Sequence, residues 1–356
     1  MIKILVVDDS ALVRKVIGQV FATQPDFDVR FARNGREALE AIELARPDVV
    51  TLDVHMPEMD GLACLDQIMI AHPCPVVMVS SATAAGAQAT LEALRLGAVD
   101  FVAKPTGAVS LRIDDMAKPL IDKVRAAAGV KLKSSLRLRE RIRHRIGERA
   151  GVAPRAPSRK GKPTATGQGL VLVGTSTGGP PALEMLLTAL PASFPWPIVV
   201  AQHMPATFTG QLARRLDGLC QINVAEVREP VALEPGCAYV GRGEADIIIS
   251  RRGDRLFAMA APVESGYPWH PSTDRLVRSA LNHLPPSQLV GILMTGMGND
   301  GAEAMALMHA QGGSTIAEAE ETAVVWGMPG ELVKAGGADF VVPVDKIAAQ
   351  LRKLVS

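Results

Sequence analysis

The sequence predicts two α/β domains, each a doubly wound parallel sheet, joined by a basic tether. Three observations carry that prediction. Short β-branched runs alternate with amphipathic stretches through residues 1–125, the alternation resumes after residue 168, and the composition between the two becomes strongly cationic. Repeated strand–helix units imply parallel strands, because the crossover helix returns the chain to the same end of the sheet. Near-continuous apolar strands agree, since a parallel sheet is covered on both faces.

In the first domain, residues 1–125, Lys3–Val7, Phe27–Phe31, Val49–Leu52, Val76–Val79 and Asp100–Val102 read as strands. Ala11–Thr23, Gly35–Ala45, Gly61–Ile70, Ala87–Leu96 and Lys118–Ala127 read as helices, from their apolar spacing. The tether is placed at residues 126–168: from Lys131 to Lys162 a run of Lys and Arg is opposed only by Glu140 and Glu148. Leu136–Ile146 has the alternation of a short helix, but Pro154, Pro157 and Pro163 among Gly, Ser and Thr mark a solvated connector. The second domain, residues 169–356, has predicted strands at Leu170–Val173, Ile198–Ala201, Leu289–Met294, Ser314–Ala317 and Phe340–Val342. Between Val227 and Ala260 the helical signal lapses, and short strands broken by Pro230, Pro235, Gly236, Gly241, Gly243 and Gly253 predict an antiparallel insertion.

Composition excludes several classes. The 356 residues carry 38 Lys plus Arg against 37 Asp plus Glu, a formal charge of +1, so no global field favours nucleic acid or an anionic membrane. No apolar run reaches the roughly 18 residues of a membrane span, and Met1-Ile2-Lys3 leads straight into an apolar strand without a secretory signal pattern. The expectation is a cytoplasmic, monomeric protein with no nucleic-acid partner and no membrane insertion. Cys64, Cys74, Cys220 and Cys237 lack Cys-x-x-Cys spacing, which favours buried reduced thiols over zinc or disulfides. A metal here should be held by oxygen.

In an open parallel sheet, function gathers beyond the carboxyl ends of the strands. Asp8 and Asp9 follow the first predicted strand and Asp53 the third, so three carboxylates distant in sequence should converge at one edge. Such crowding calls for a cation, and Mg²⁺, which keeps several waters, suits a few carboxylates. Ser80 and Lys104 end the fourth and fifth strands and add a hydroxyl and a positive charge. Asp8-Asp9, Thr51-Leu52-Asp53-Val54-His55-Met56-Pro57, Asp60-Gly61, Ser80 and Lys104-Pro105 together closely resemble the response-regulator receiver domain across residues 1–125. The resemblance implies a flavodoxin-like fold, phosphorylation of Asp53 by a histidine kinase, Mg²⁺ held at Asp8, Asp9 and Asp53, and sensing of the acyl phosphate by Ser80 and Lys104.

The second domain opens with Leu170-Val171-Leu172-Val173-Gly174-Thr175-Ser176-Thr177-Gly178-Gly179-Pro180-Pro181. A strand that turns through Gly and Ser into a helix starting near Pro180 places Ser176 at a strand end beside outward-facing N–H groups. That motif alone leaves two readings open, a glycine-rich turn cradling a phosphate and a nucleophilic serine beside oxyanion donors. His203, in Gln202-His203-Met204-Pro205, follows the next strand, and Asp300, in Thr295-Gly296-Met297-Gly298-Asn299-Asp300-Gly301, follows a later one. All three reach the same edge, where His203 can serve as general base and Asp300 can orient it. Taken singly, His203 also reads as a core histidine and Asp300 as the N-cap of a helix beginning at Gly301. The order Ser…His…Asp differs from that of α/β-hydrolases.

These motifs, with Pro271-Ser272-Thr273-Asp274, resemble the chemotaxis protein-glutamate methylesterases over about 190 residues. The resemblance implies a Rossmann-like catalytic domain in which Ser176, His203 and Asp300 hydrolyse glutamyl methyl esters on chemoreceptors, releasing methanol, with possible deamidation of receptor glutamines. By position, the amides near Thr177 and Met297 are the candidate oxyanion donors. It also implies that the unphosphorylated receiver inhibits the esterase and that phosphorylation relieves this. The chain departs from the family pattern at Thr175, at Pro268-Trp269-His270 where many members carry Arg-His-Arg, and at Tyr239-Val240-Gly241-Arg242-Gly243. These departures fall where a receptor helix would be recognised.

Overall fold

The computed structural model describes residues 1–105, 113–130 and 169–355. The chain divides into two compact units. From residue 131 onward the predicted tether, with its short helix at Leu136–Ile146, lies outside the described residues.

The first unit runs β1 (Ile2–Val7), α1 (Ala11–Ala22), β2 (Phe27–Ala32), α2 (Gly35–Ala45), β3 (Val49–Asp53), α3 (Gly61–Ala71), β4 (Val76–Ser81), α4 (Ala84–Arg95), β5 (Asp100–Lys104) and α5 (Ile113–Ala128). Its strands pair in parallel in the order β2-β1-β3-β4-β5, the flavodoxin-like arrangement with its switch point between β1 and β3. Ser10, Asn34, Asp60 and Thr83 each accept an N–H from the first turn of the following helix, which fixes where α1 to α4 begin. Thr83 starts α4 three residues before the predicted Ala87, because Gly86 masked the periodicity. Helix α5 begins well before Lys118 and carries Pro119 in its interior; Met116, Leu120, Val124 and Ala127 line its buried face.

The second unit contains β6 (Leu170–Thr175), α6 (Gly179–Thr188), β7 (Ile198–Gln202), α7 (Ala206–Leu219), β8 (Asn223–Val227), β9 (Val231–Ala232), β10 (Cys237–Gly241), β11 (Asp246–Arg252) and β12 (Arg255–Ala261). It continues with α8 (Thr273–Leu281), β13 (Leu289–Leu293), α9 (Ala302–Ala310), β14 (Ser314–Glu318), α10 (Met328–Lys334), β15 (Phe340–Val342) and α11 (Val344–Leu354). A seven-stranded parallel sheet has the order β15-β14-β13-β6-β7-β10-β8, and β11, β12 and β9 form a small antiparallel sheet. The antiparallel insertion is therefore smaller than predicted. Strand β10 pairs in parallel with both β7 and β8, so it belongs to the main sheet. Pro and Gly signals mark the turns around β10 but do not encode strand direction, and the excursion through β9 supplies the crossover in place of a helix.

Strand β6 lies at the centre, between β7 and β13 on opposite sides, and this is the switch point where a site is expected. Leu170, Leu172, Val199 and Leu289 pack with Leu276, Val277 and Ala280 of α8 and with Met305 and Met308 of α9. These methionines fill core space. All four cysteines are free thiols; Cys64, Cys74 and Cys220 are buried, whereas Cys237 is only partly so. Burial pushes the Cys64 and Cys74 thiols up to about 12, so neither supplies a thiolate. Among the described residues no helix is long and apolar enough to cross a membrane.

Candidate functional site

In the first unit, Asp8, Asp9 and Asp53 converge as predicted: one carboxylate oxygen from each lies within 4.8 Å of the others. Lys104 Nζ bridges two of them, 2.9 Å from Asp8 Oδ2 and 2.8 Å from Asp53 Oδ2. Burial raises the Asp8 pKa above its ordinary value, with Lys104 pulling the other way and Asp53 adding repulsion. Burial alone would depress Lys104, but the two carboxylates override it and raise its pKa. Ser80 points elsewhere: its hydroxyl donates to the Gly86 carbonyl at 3.1 Å, within the first turn of α4. This structure thus holds the charged pocket assembled with the Ser80 hydroxyl bonded to α4.

In the second unit, register brings the nucleophile and base candidates together. Thr175 and Gln202 are partners across β6 and β7, and the His203 N–H donates to the Thr175 carbonyl at 3.1 Å, so Ser176 and His203 emerge side by side. On the other flank, the Ser176 N–H donates to the Thr295 carbonyl at 3.0 Å, which also accepts the Thr175 hydroxyl at 3.0 Å. Gln202 Nε2 donates to the Ser176 carbonyl at 3.0 Å and to the His203 carbonyl at 3.1 Å. Ser176 is partly exposed amid buried neighbours. Gly179 has to be glycine, since a Cβ there would lie 2.1 Å from Gln202 Oε1. A phosphate cradle needs N–H groups aimed at the ligand, but those of Ser176 and Gly179 already donate to the carbonyls of Thr295 and Ser176.

Asp300 does not cap the helix that follows it; α9 starts after Gly301, whose φ is 89°. Instead its carboxylate serves the start of α8. It accepts the N–H groups of Thr273 at 2.6 Å and Asp274 at 3.1 Å and the Ser272 hydroxyl at 2.9 Å. The fourth contact is His203, whose Nε2 stands 2.7 Å from Asp300 Oδ2. Burial alone would raise the Asp300 pKa, but the His203 bond and the α8 N–H groups outweigh it and hold the carboxyl below its ordinary value. His203 Nδ1 is buried and has no partner among the described residues.

Candidate oxyanion donors flank this pair. The Thr177 carbonyl accepts the Thr295 hydroxyl at 2.9 Å, and the Gly296 carbonyl accepts the N–H groups of Gly327 and Met328, so both turns are pinned. The Met297 N–H donates to none of the described residues. Sequence reasoning missed four supports. Ser272 and Thr273 were visible only as part of a motif. Glu318, buried in β14, accepts the Thr295 N–H at 2.8 Å and the Thr322 hydroxyl at 3.0 Å; burial raises its pKa against the pull of those two bonds. Gln202, beside His203, was the most legible of the four, a polar side chain ending an otherwise apolar strand.

Comparison with known proteins agrees with this geometry. Residues 171–351 match the CheB methylesterase family and residues 4–113 the response regulator receiver domain. The protein-glutamate methylesterase/protein-glutamine glutaminase 2 of Rhodopseudomonas palustris is 54% identical over 354 residues, spanning 98% of this chain and 97% of the relative. The corresponding protein 3 of Rhodospirillum rubrum is 50% identical, spanning 100% of this chain and 97% of its own length. The CheB methylesterase catalytic domain of Thermotoga maritima superposes with a TM-score of 0.51 at 36% identity, covering 52% of this chain and 98% of that domain. With two parallel α/β units, a charged receiver pocket and a Ser, His and Asp constellation at one sheet edge, the chain belongs to the CheB protein-glutamate methylesterase family, in the form that carries a receiver domain.

Proposed function

We propose that this chain hydrolyses glutamate methyl esters on chemoreceptors and deamidates receptor glutamines, with Ser176 as nucleophile, His203 as general base and Asp300 as the carboxylate that orients it. The observation that supports this reading best is the His203–Asp300 pair, with Nε2 engaged at 2.7 Å and Nδ1 buried and without a partner among the described residues, while the backbones of Ser176 and His203 follow the register pair Thr175 and Gln202. With the Nε2 proton donated to Asp300, the Nδ1 lone pair is the base. This ring orientation is the reverse of that in the serine-protease triad. Ser176 Oγ attacks the ester carbonyl as its proton passes to Nδ1; collapse expels methanol, which takes that proton. Water then attacks the acyl-enzyme as Nδ1 takes its proton, and collapse breaks the bond to Ser176 Oγ, which receives that proton and frees the glutamate carboxyl. An amide substrate follows the same course and releases ammonia. N–H groups of Thr177 and Met297 stabilise the oxyanion.

The receiver makes this activity depend on a histidine kinase that phosphorylates Asp53. Mg²⁺ fits the acid cluster, because three hard oxygen donors meet within 4.8 Å and the Asp53 carboxylate repels the buried Asp8 even with Lys104 beside them. Asp8, Asp9 and Asp53 would hold it, and the ion would screen phosphate charge during transfer. A phosphoryl group on Asp53 competes for Lys104 and for the Ser80 hydroxyl, releases the latter from Gly86, and so relieves inhibition of the esterase. Methanol release from a methylated receptor tests the triad: loss in both Ser176→Ala and His203→Ala is expected, and full activity in either refutes it. Equal rates for the unphosphorylated chain and a fragment lacking residues 1–165 refute the inhibition.

A further inference from the structure

The segment Pro268-Trp269-His270, one of the two departures from the family pattern beside the catalytic motifs, folds over the candidate active site. The Trp269 indole lies parallel to the His203 imidazole, with an interplanar angle of 2° and centroids 6.0 Å apart. Its six-membered ring also faces Gly298, where an added Cβ would fall 2.7 Å from the indole and where φ is 86°. The indole therefore borders both the base and the turn that follows Met297, and Trp269 is only half-buried.

This placement is built rather than incidental. Next to Trp269, His270 Nδ1 pairs with Asp246 Oδ1 at 2.9 Å, and Asp246 is fully enclosed. The same carboxylate accepts the Ser272 N–H at 2.8 Å and pairs with Arg275 Nη1 at 2.7 Å. Ser272 in turn holds Asp300, so the strap carrying Trp269 and the carboxylate orienting His203 share one buried anchor. A buried carboxylate with three such donors is a rigid mount.

We propose that Trp269 is a specificity-determining residue that contacts substrate: its exposed face receives the methylenes and ester methyl of the glutamyl side chain and seats the carbonyl between Ser176 and the Met297 turn. In this chain an aromatic surface thus stands within the segment where the family pattern reads Arg-His-Arg. The inference rests on the Ser176 and His203 assignment above. The test uses the full-length chain, with Trp269→Ala and Trp269→Phe assayed for methanol release from a methylated receptor, and with a fluorophosphonate probe scoring the reactivity of Ser176.

The expected result is a KM raised about tenfold in Trp269→Ala with kcat within about twofold, most of the loss restored by Trp269→Phe, and equal probe labelling of all three proteins. Unchanged KM with normal labelling overturns the role of Trp269 alone. A fall in kcat at unchanged KM, with slowed labelling, also overturns it, because the indole then merely supports His203. Absence of Ser176 labelling in the parent protein refutes the nucleophile assignment itself.

Discussion

Replacing Asp300 with Asn tests the orienting carboxylate with almost no change in shape. Asp300 accepts from four donors: His203 Nε2, the N–H groups of Thr273 and Asp274, and the Ser272 hydroxyl. An amide has one acceptor oxygen. If that oxygen takes the place of Oδ1, keeping the Ser272 hydroxyl and the Asp274 N–H, the NH₂ group takes the place of Oδ2, where it meets the Thr273 N–H and faces His203 Nε2, forcing the proton onto Nδ1 and leaving no lone pair for Ser176. The matching substitution in a serine protease costs about 10⁴ in kcat, and the same tautomer argument predicts a fall of about 10³–10⁴ here, roughly 4–5.5 kcal/mol, with little change in KM. A residual donor–donor clash at the start of α8 should also cost about 1–3 kcal/mol of stability. Asp300 has a depressed pKa in the fold, so its ionised form contributes stability above the unfolded value, and that contribution is lost as pH falls through the folded one. Acid unfolding of Asp300→Asn should accordingly be less steep over that range. Methanol release from a methylated receptor at neutral pH is the assay; kcat within about fivefold of the parent would refute the tautomer argument.

Further outcomes follow from other contacts. Glu318 has a raised pKa, so the folded state binds the extra proton and stability should fall as pH rises above the ordinary glutamate range; Glu318→Gln should raise Tm at pH 7.5 and leave it nearly unchanged near pH 4. Lys104→Met strips the shared cation from Asp8 and Asp53, so thermal melts should show a lowered Tm, with Mg²⁺ restoring part of the loss. Ser80→Ala removes the bond to Gly86 and should leave the basal methanol rate intact while blunting the increase on phosphorylation; an undiminished increase would argue against Ser80 as the sensing hydroxyl. Gly298→Ala forces a side chain into a left-handed position against Trp269, and calorimetry should find it destabilised by at least about 1 kcal/mol.

The convergence of the candidate residues was legible because strand ends announce themselves. Asp8, Asp53 and Lys104 each follow an apolar run directly, Ser176 and His203 follow one after a single polar residue, and parallel pairing then carries them to one edge of their sheet. What hydrogen bonds decide was not legible. The direction of the Ser80 hydroxyl depends on a carbonyl six residues on in α4. The service of Asp300 to α8, and with it the use of Nε2 on His203, depends on a helix start 27 residues earlier in the chain. Likewise, β10 falls within the expected antiparallel insertion because Pro and Gly mark a turn without revealing which neighbour the next strand will choose.

The Gln202 amide, reaching two carbonyls on adjoining chain segments, has a mechanical corollary. It ties the peptide of the attacking alcohol to that of the imidazole, so the two travel as one block and neither is withdrawn without breaking the other's tether. A catalytic pair welded in this way is poorly suited to being switched off by disassembly. On the proposed assignment, control that preserves these two bonds acts on access of the substrate rather than on the pair itself.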